Sequence, residues 1–329
     1  MVKFWRVAGS LLVTVALLLL VLRAINPSEL KETLSAVPPG LLLVAFAAAF
    51  AFVWSRTWRY HVLLGRERVA SVRALLPITL ASWGVSLLLP GPSGDGTFVW
   101  LCRSRLKTPI ALAAGAAIVA RLLDFVSLAL IALLAAPLAG GIVPGVALVV
   151  GGVLAIVIVA VLVGLFWDRS RQAIVGRLAT LPVGGRLVAR AEPALHELGT
   201  DSRPIALIAG TVAARLATSI QYWALFAAIG HPLSYWQVWF ALSIRTLLLA
   251  IPIQGIAGLG TGQLWWTGAL TLLGWPIEDA LAASVAIHVL DLAISLPQGG
   301  AGWALVLLGR RRARAAGAAE EAQAAAQRV

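Results

Sequence analysis

A chain of 329 residues that is 60% apolar and only 12% charged is not a soluble domain, which carries about 25% charged and about 45–50% apolar residues. Its formal net charge of +12 is spread between apolar runs and not gathered into a basic domain, so the excess marks membrane topology and not nucleic-acid binding. The lone cysteine, Cys102, excludes an intramolecular disulfide and any CxxC metal or redox motif, and no HExxH, GxSxG, GxxxxGKS or GxxxxGKT is present.

The first apolar run, residues 5–22, leads into LRAINPSEL without a small-x-small cleavage site, and reads as an uncleaved helix. Runs at 39–54, 109–134, 142–167, 204–229 and 280–308 approach or reach the roughly 17–25 residues that cross a hydrocarbon core of about 30 Å. Two others are interrupted. Residues 75–89 run into PGPSGDG at 90–96, and residues 238–253 run into QGIAGLGTG at 254–262, with a short apolar piece over 264–273. Each predicts a helix, a Gly/Pro break and a second short helix, that is, a re-entrant hairpin; such backbone is tolerated at membrane depth only under protein or beside a wet cavity. HPLSYWQVWF, from His231, reads as an amphipathic segment on the outer surface. The basic stretch 168–203 reads either as lying on the anionic inner leaflet or as a solvated linker. The tryptophans read as interfacial anchors.

The basic residues orient these elements. With six full crossings, two hairpins and the N-terminus in the cytoplasm, 21 of the 26 lysines and arginines fall on the cytoplasmic side, Arg56 and Arg59 among them, and two fall outside. This is the asymmetry of the positive-inside rule. The first hairpin then enters from the cytoplasm and the second from outside. Two units of helix, hairpin and helix, about 39–136 and 204–308, become inverted repeats of each other, the arrangement in which transporters place a site near the bilayer midplane. The expected protein is an all-α integral membrane protein of about six spanning helices plus two re-entrant helical hairpins. Residues 1–315 form one transmembrane domain and residues 316–329 a disordered cytoplasmic tail. Both termini are expected in the cytoplasm of a bacterial cell, with the chain in its cytoplasmic membrane.

Charged groups inside the spans are the candidate site. VARLLDFVSL places Arg121 three residues before Asp124, and AIHVLDLAISL places His288 three residues before Asp291. A charge at the centre of a span costs about 2.5–3.5 kcal/mol, and i,i+3 neighbours share a face and can offset each other. Two readings stand: a structural ion pair joining the halves, or a polar path where they meet. Arg215 and Arg245 have no acidic neighbour within a turn; with Arg121 they could hold a phosphate, which guanidinium geometry suits, although Arg215 could instead snorkel toward the cytoplasmic interface. Asp95 in the first break either caps the returning helix or faces a cavity. Gln254 and Gln263 flank the second break and can bond freed backbone groups or substrate. No catalytic residue, metal ligand or cofactor is expected.

SRTWRYHVLL, LLLPGPSGDG, ARLLDFVSL and IPIQGIAGLGTGQ, in this order, resemble the lysylphosphatidylglycerol synthase transmembrane-region family, also called the flippase-like domain family, over roughly residues 40–308. The resemblance implies an integral-membrane fold associated with lipid translocation; members are linked to aminoacylated phosphatidylglycerol, polyprenyl-linked sugars or hopanoids. Ala120, Asp95 and Gln263 stand where the family often has Glu, which weakens an expectation of proton coupling. The aminoacyl-transferase domain of the full synthases is not found, so lysyl transfer is not expected.

The expected function is movement of an anionic or phosphate-bearing lipid, a phospholipid or a polyprenyl-linked one, between leaflets through a polar cavity at the repeat interface, without enzymatic activity. Alternatives are a secondary transporter of a small soluble anion, an integral-membrane enzyme on polyprenyl phosphates using Asp95, Asp124 or Asp291, and a non-catalytic assembly factor. The expected partner is a lipid with an anionic headgroup. A homodimer and a lipid-modifying enzyme partner stay open, and nucleic acid is not expected.

Overall fold

A computed structural model describes residues 27–65, 69, 71–89, 92–140, 203–249 and 255–326. The helix expected at 5–22, the span expected at 142–167 and Gln254 lie outside these residues. The described chain is all helical: α1 Pro27–Ser35, α2 Pro39–Leu64, α3 Val72–Leu88, α4 Ser93–Leu106, α5 Ile110–Ala135, α6 Arg203–Ala228, α7 Tyr235–Leu248, a 3₁₀ turn Ile256–Gly258, α8 Thr261–Thr271 and α9 Ile277–Ala326. By length and composition four of them, α2, α5, α6 and the Ile277–Gly309 part of α9, suffice to cross a membrane.

The two interrupted runs form helix–break–helix hairpins whose arms pack on each other, α3 on α4 and α7 on α8. The arms hold 17, 14, 14 and 11 residues, which at 1.5 Å each makes them about 26, 21, 21 and 17 Å long, short of the roughly 30 Å apolar core. Local chemistry sets their limits. Ser71 caps α3 by accepting a hydrogen bond from the Ala74 amide. Ser234 and Gln237 form a reciprocal capping box at the start of α7, so HPLSYWQVWF leads into the second hairpin and its residues 235–240 form the first turns of α7. In the second break Ala257, Gly258 and Gly260 all have positive φ; glycine adopts that backbone freely, whereas alanine does so at a cost of about 1–2 kcal/mol.

The halves are related by inversion. Near its end, α2 shares a cluster with the start of α6 (Leu63 and Leu64 with Leu207). Its middle meets the middle of α6 (Phe52 and Val53 with Ala214 and Ala217), and its first turns meet the last turns (Ala45 and Ala49 with Leu225 and Phe226). These first helices of the two units therefore run antiparallel. The other contacts come in matched pairs: α3 packs on α9 as α7 packs on α5, and α4 packs on α5 as α8 packs on α9. At the α3–α9 crossing a Cβ added to Gly84 would lie 2.8 Å from the Cα of Gly299, so the backbones touch only because both residues are glycine. Beyond the span, α9 continues to Ala326, where a disordered tail was expected from residue 316. AAGAAEEAQAAA is rich in the strongest helix former, which accounts for the continuation.

Candidate functional site

Four arginines and two aspartates line a cavity of about 210 Å³ between the two units: Arg56, Arg121, Arg215, Arg245, Asp124 and Asp291. Thr218, Gln221, Tyr222 and Thr246 add neutral polar groups, while Phe52, Trp83 and Phe125 contribute apolar wall. Asp124 and Arg215 lie near the middle of their 26-residue helices, where an unpaired charge is most costly.

The first half holds its carboxylates between arginines from different helices. Asp124 on α5 accepts hydrogen bonds on one oxygen from Arg59 Nη1 at 2.8 Å and Arg215 Nη2 at 2.6 Å. This ties α2, α5 and α6 together at one atom. The Arg59 side chain is 0% exposed and that of Arg215 only 9%. Both guanidiniums are therefore desolvated, and their ion pairs gain strength from the low dielectric that makes an unpaired charge so costly.

Asp95, in the first turn of α4, bridges Arg56 Nη2 at 3.1 Å and Arg121 Nε at 2.6 Å. Arg56 also donates to the Tyr60 hydroxyl one turn along α2, and the Tyr60 ring stacks on Phe98 of α4 at 4.0 Å. The i,i+4 pair on α2 thus grips the i,i+3 pair on α4, and the first hairpin is fixed to α2 by an ion pair and a ring stack.

The second half is built differently. Asp291 on α9 is surrounded by neutral donors: Gln221 Nε2 at 2.8 Å, Tyr222 Oη at 2.8 Å and Ser295 Oγ at 3.1 Å. Three donors and no acceptor suit a carboxylate. Arg245 near the end of α7 lies over two aromatic faces, 5.8 Å from the Tyr222 ring and 5.6 Å from that of Trp266. It has no ion pair among the described residues, and its Nε is buried without a hydrogen-bond partner. His288 packs on the second break, with its ring against Gly258 and Gly262, and its Nε2 has no partner. Gln263, 3% exposed in the first turn of α8, has an unpartnered Oε1.

Of the residues singled out in the sequence, Arg121, Asp124, Arg215, Arg245 and Asp291 meet at the cavity. Asp95 stands behind two of its arginines, His288 and Gln263 lie at the second break outside its lining, and Gln254 falls outside the described residues. The partners differ from those the spacing suggested. Arg121 turns to Asp95 and Asp124 to Arg59 and Arg215, while Asp291 takes neutral donors in place of His288. Residues three apart share a face, but their long side chains reach different neighbouring helices. Arg215 does not snorkel: Asp124 holds it inside the bundle. Asp95 gives its oxygens to arginines, and α4 has no side-chain cap.

Charge counting along the sequence assigned Arg56 and Arg59 to the cytoplasmic flank. Both lie within α2, which continues to Leu64. The apolar VLL that follows them at residues 62–64 is the signal that the span had not ended. Gln221 and Tyr222 carry no charge, and nothing in the sequence marks them.

No curated protein and no solved structure matches the chain. The family model of the lysylphosphatidylglycerol synthase TM region matches residues 7–299, nearly the whole chain and both halves of the cavity. This all-helical, multi-pass membrane protein belongs to that family, a membrane-associated domain family often linked to lipid flippase or synthase function.

Proposed function

We propose that the protein moves an anionic, phosphate-bearing lipid between the leaflets of a bacterial cytoplasmic membrane. The headgroup enters the cavity between the inverted units while the acyl chains remain in the bilayer. One observation carries this reading: four arginines face the cavity against two aspartates, and one arginine, Arg245, has no carboxylate partner among the described residues. A membrane-embedded cavity with an uncompensated guanidinium attracts an anion, because burial strengthens the attraction that water would screen. The volume of about 210 Å³ lies below the roughly 300–1,000 Å³ of common small-molecule sites. It suits a small headgroup, with the chains left outside. Arg121 and Arg245 offset the phosphate charge, with Arg215 held by Asp124 at the depth of the cavity, and no bond is made or broken in the substrate.

A small soluble anion would also satisfy the charge and the volume. The experiment that separates the two uses the full chain in proteoliposomes carrying fluorescent lipids in both leaflets, with dithionite quenching outside. Labelled phosphatidylglycerol and phosphatidic acid are expected to become fully quenchable at rates well above protein-free vesicles, with phosphatidylcholine much slower. Equal rates for all headgroups, or none above background, would remove the lipid reading. Anion uptake without lipid movement would favour the second.

A further inference from the structure

The cations on the cavity wall differ in accessibility and in commitment. The Arg121 side chain is 45% exposed, against 9% for Arg215, so Arg121 marks the mouth and Arg215 the depth. Arg215 is engaged by Asp124. Arg121 meets Asp95 through Nε, and its two terminal nitrogens, a pair that can bind a phosphate end-on, have no hydrogen-bond partner among the described residues. Arg56 touches the other oxygen of Asp95 with one terminal nitrogen and the Tyr60 hydroxyl with the same face of its fork. Asp95 does not line the cavity, whereas both of its arginines do. It therefore stands behind them and sets where their remaining donors point.

From this geometry we infer an outer anion subsite, formed by Arg121 and Arg56 and aligned by Asp95 on the first hairpin, at which the phosphate of the lipid binds before it reaches Arg245. The inference rests on the proposed function and adds an order of binding to it. Asp95 is a positioning residue: it touches no ligand, and a carboxylate clamped between two guanidiniums holds them at a fixed separation. Because Asp95 belongs to α4, the separation of the two arginines follows the hairpin. The matching place in the second hairpin carries Gln263, which has no charge and no partner for its Oε1, so the second unit has no equivalent clamp among the described residues, and the outer subsite is assigned to the first unit.

The test is equilibrium binding by the purified full chain in detergent, followed by its tryptophan fluorescence, since Trp83 lines the cavity. The probes are dioctanoyl phosphatidic acid and, separately, inorganic phosphate. Asp95→Asn is expected to weaken binding of both probes about ten-fold, the effect of one misaligned charged contact. Asp95→Glu, which keeps the bridge, should recover most of it. A clamp that served folding alone would leave the affinity of the folded fraction unchanged in all three proteins, and that result would overturn the subsite. Tighter binding by Asp95→Asn would make Asp95 a competitor for the arginines and overturn it equally.

Should Asp95→Asn fail to fold, Arg121→Gln at the exposed mouth is expected to give the same ten-fold weakening, and an unchanged affinity there refutes the subsite. Lipid binding tighter than free phosphate supports a headgroup as the ligand, and the reverse overturns that assignment. Failure of the wild-type chain to bind either probe would sink the proposed function itself, a result distinct from wild-type binding that Asp95→Asn leaves unaltered.

Discussion

Asp124→Asn is expected to destabilise the protein by about 3–5 kcal/mol, the range for leaving a buried charge without its partner. The substitution keeps the shape of the side chain and removes its charge, so packing is unchanged and electrostatics alone is read. Two arginines share the lost anion, Arg59 and Arg215, from two different helices. Arg59 is 0% exposed and cannot turn to water. Thermal unfolding in detergent should show the loss as a lowered midpoint. Adding Arg215→Met to Asp124→Asn is expected to restore part of it, since one of the two stranded charges is then gone; the two changes are coupled through one contact and cannot be additive. An unfolding midpoint equal to wild type for Asp124→Asn would mean that the three-residue cluster does not hold α2, α5 and α6 together.

The second large effect is on transport. Arg245→Gln should lower anionic-lipid movement in proteoliposomes by at least about ten-fold, the equivalent of one charged hydrogen bond. Stability should fall only by the cation–π contribution of about 1–2 kcal/mol, because Arg245 rests on Tyr222 and Trp266 and balances no carboxylate among the described residues. Arg245→Lys keeps the charge and loses the planar fork, and intermediate transport is expected. The contrast with Asp124 separates the two roles of buried charge in this cavity: the Asp124 cluster assembles the bundle, whereas Arg245 is left for the ligand. A transport rate unaffected by Arg245→Gln would remove that distinction.

Much of this was legible in the sequence because the bilayer imposes simple rules. Lengths of apolar runs gave the four spans among the described residues, and PGPSGDG and the glycines following Gln254 gave the two breaks, since glycine and proline interrupt a helix wherever they cluster. Inversion followed from the arginine count and reappears as the antiparallel packing of α2 on α6. The partners of each charge were not legible. Spacing along a helix reports which residues share a face, whereas every partner of Asp95 and Asp124, and all those of Asp291 but Ser295, lie 26 to 91 positions away. Arg56 and Arg59 were hidden for a different reason: the SRTWRYH stretch has the composition of a cytoplasmic flank, and beyond the apolar VLL that follows it the evidence of its interior place is tertiary, the ion pairs to Asp95 and Asp124. Neutral donors such as Gln221 and Tyr222 escape any search for charge, although without them the buried Asp291 carboxylate would keep only Ser295 as a donor.

The claim on which the account depends is that the arginine-lined cavity is a passage reached from both faces of the membrane. A single cysteine at Thr218, on the cavity wall, in a chain whose buried Cys102 has been replaced by alanine, tests it most directly with a membrane-impermeant thiol reagent applied to right-side-out and inside-out vesicles. Labelling is expected from either face, slowed by added phosphatidic acid and not by phosphatidylcholine. Labelling from one face alone, or at a rate indifferent to the anionic lipid, would contradict it.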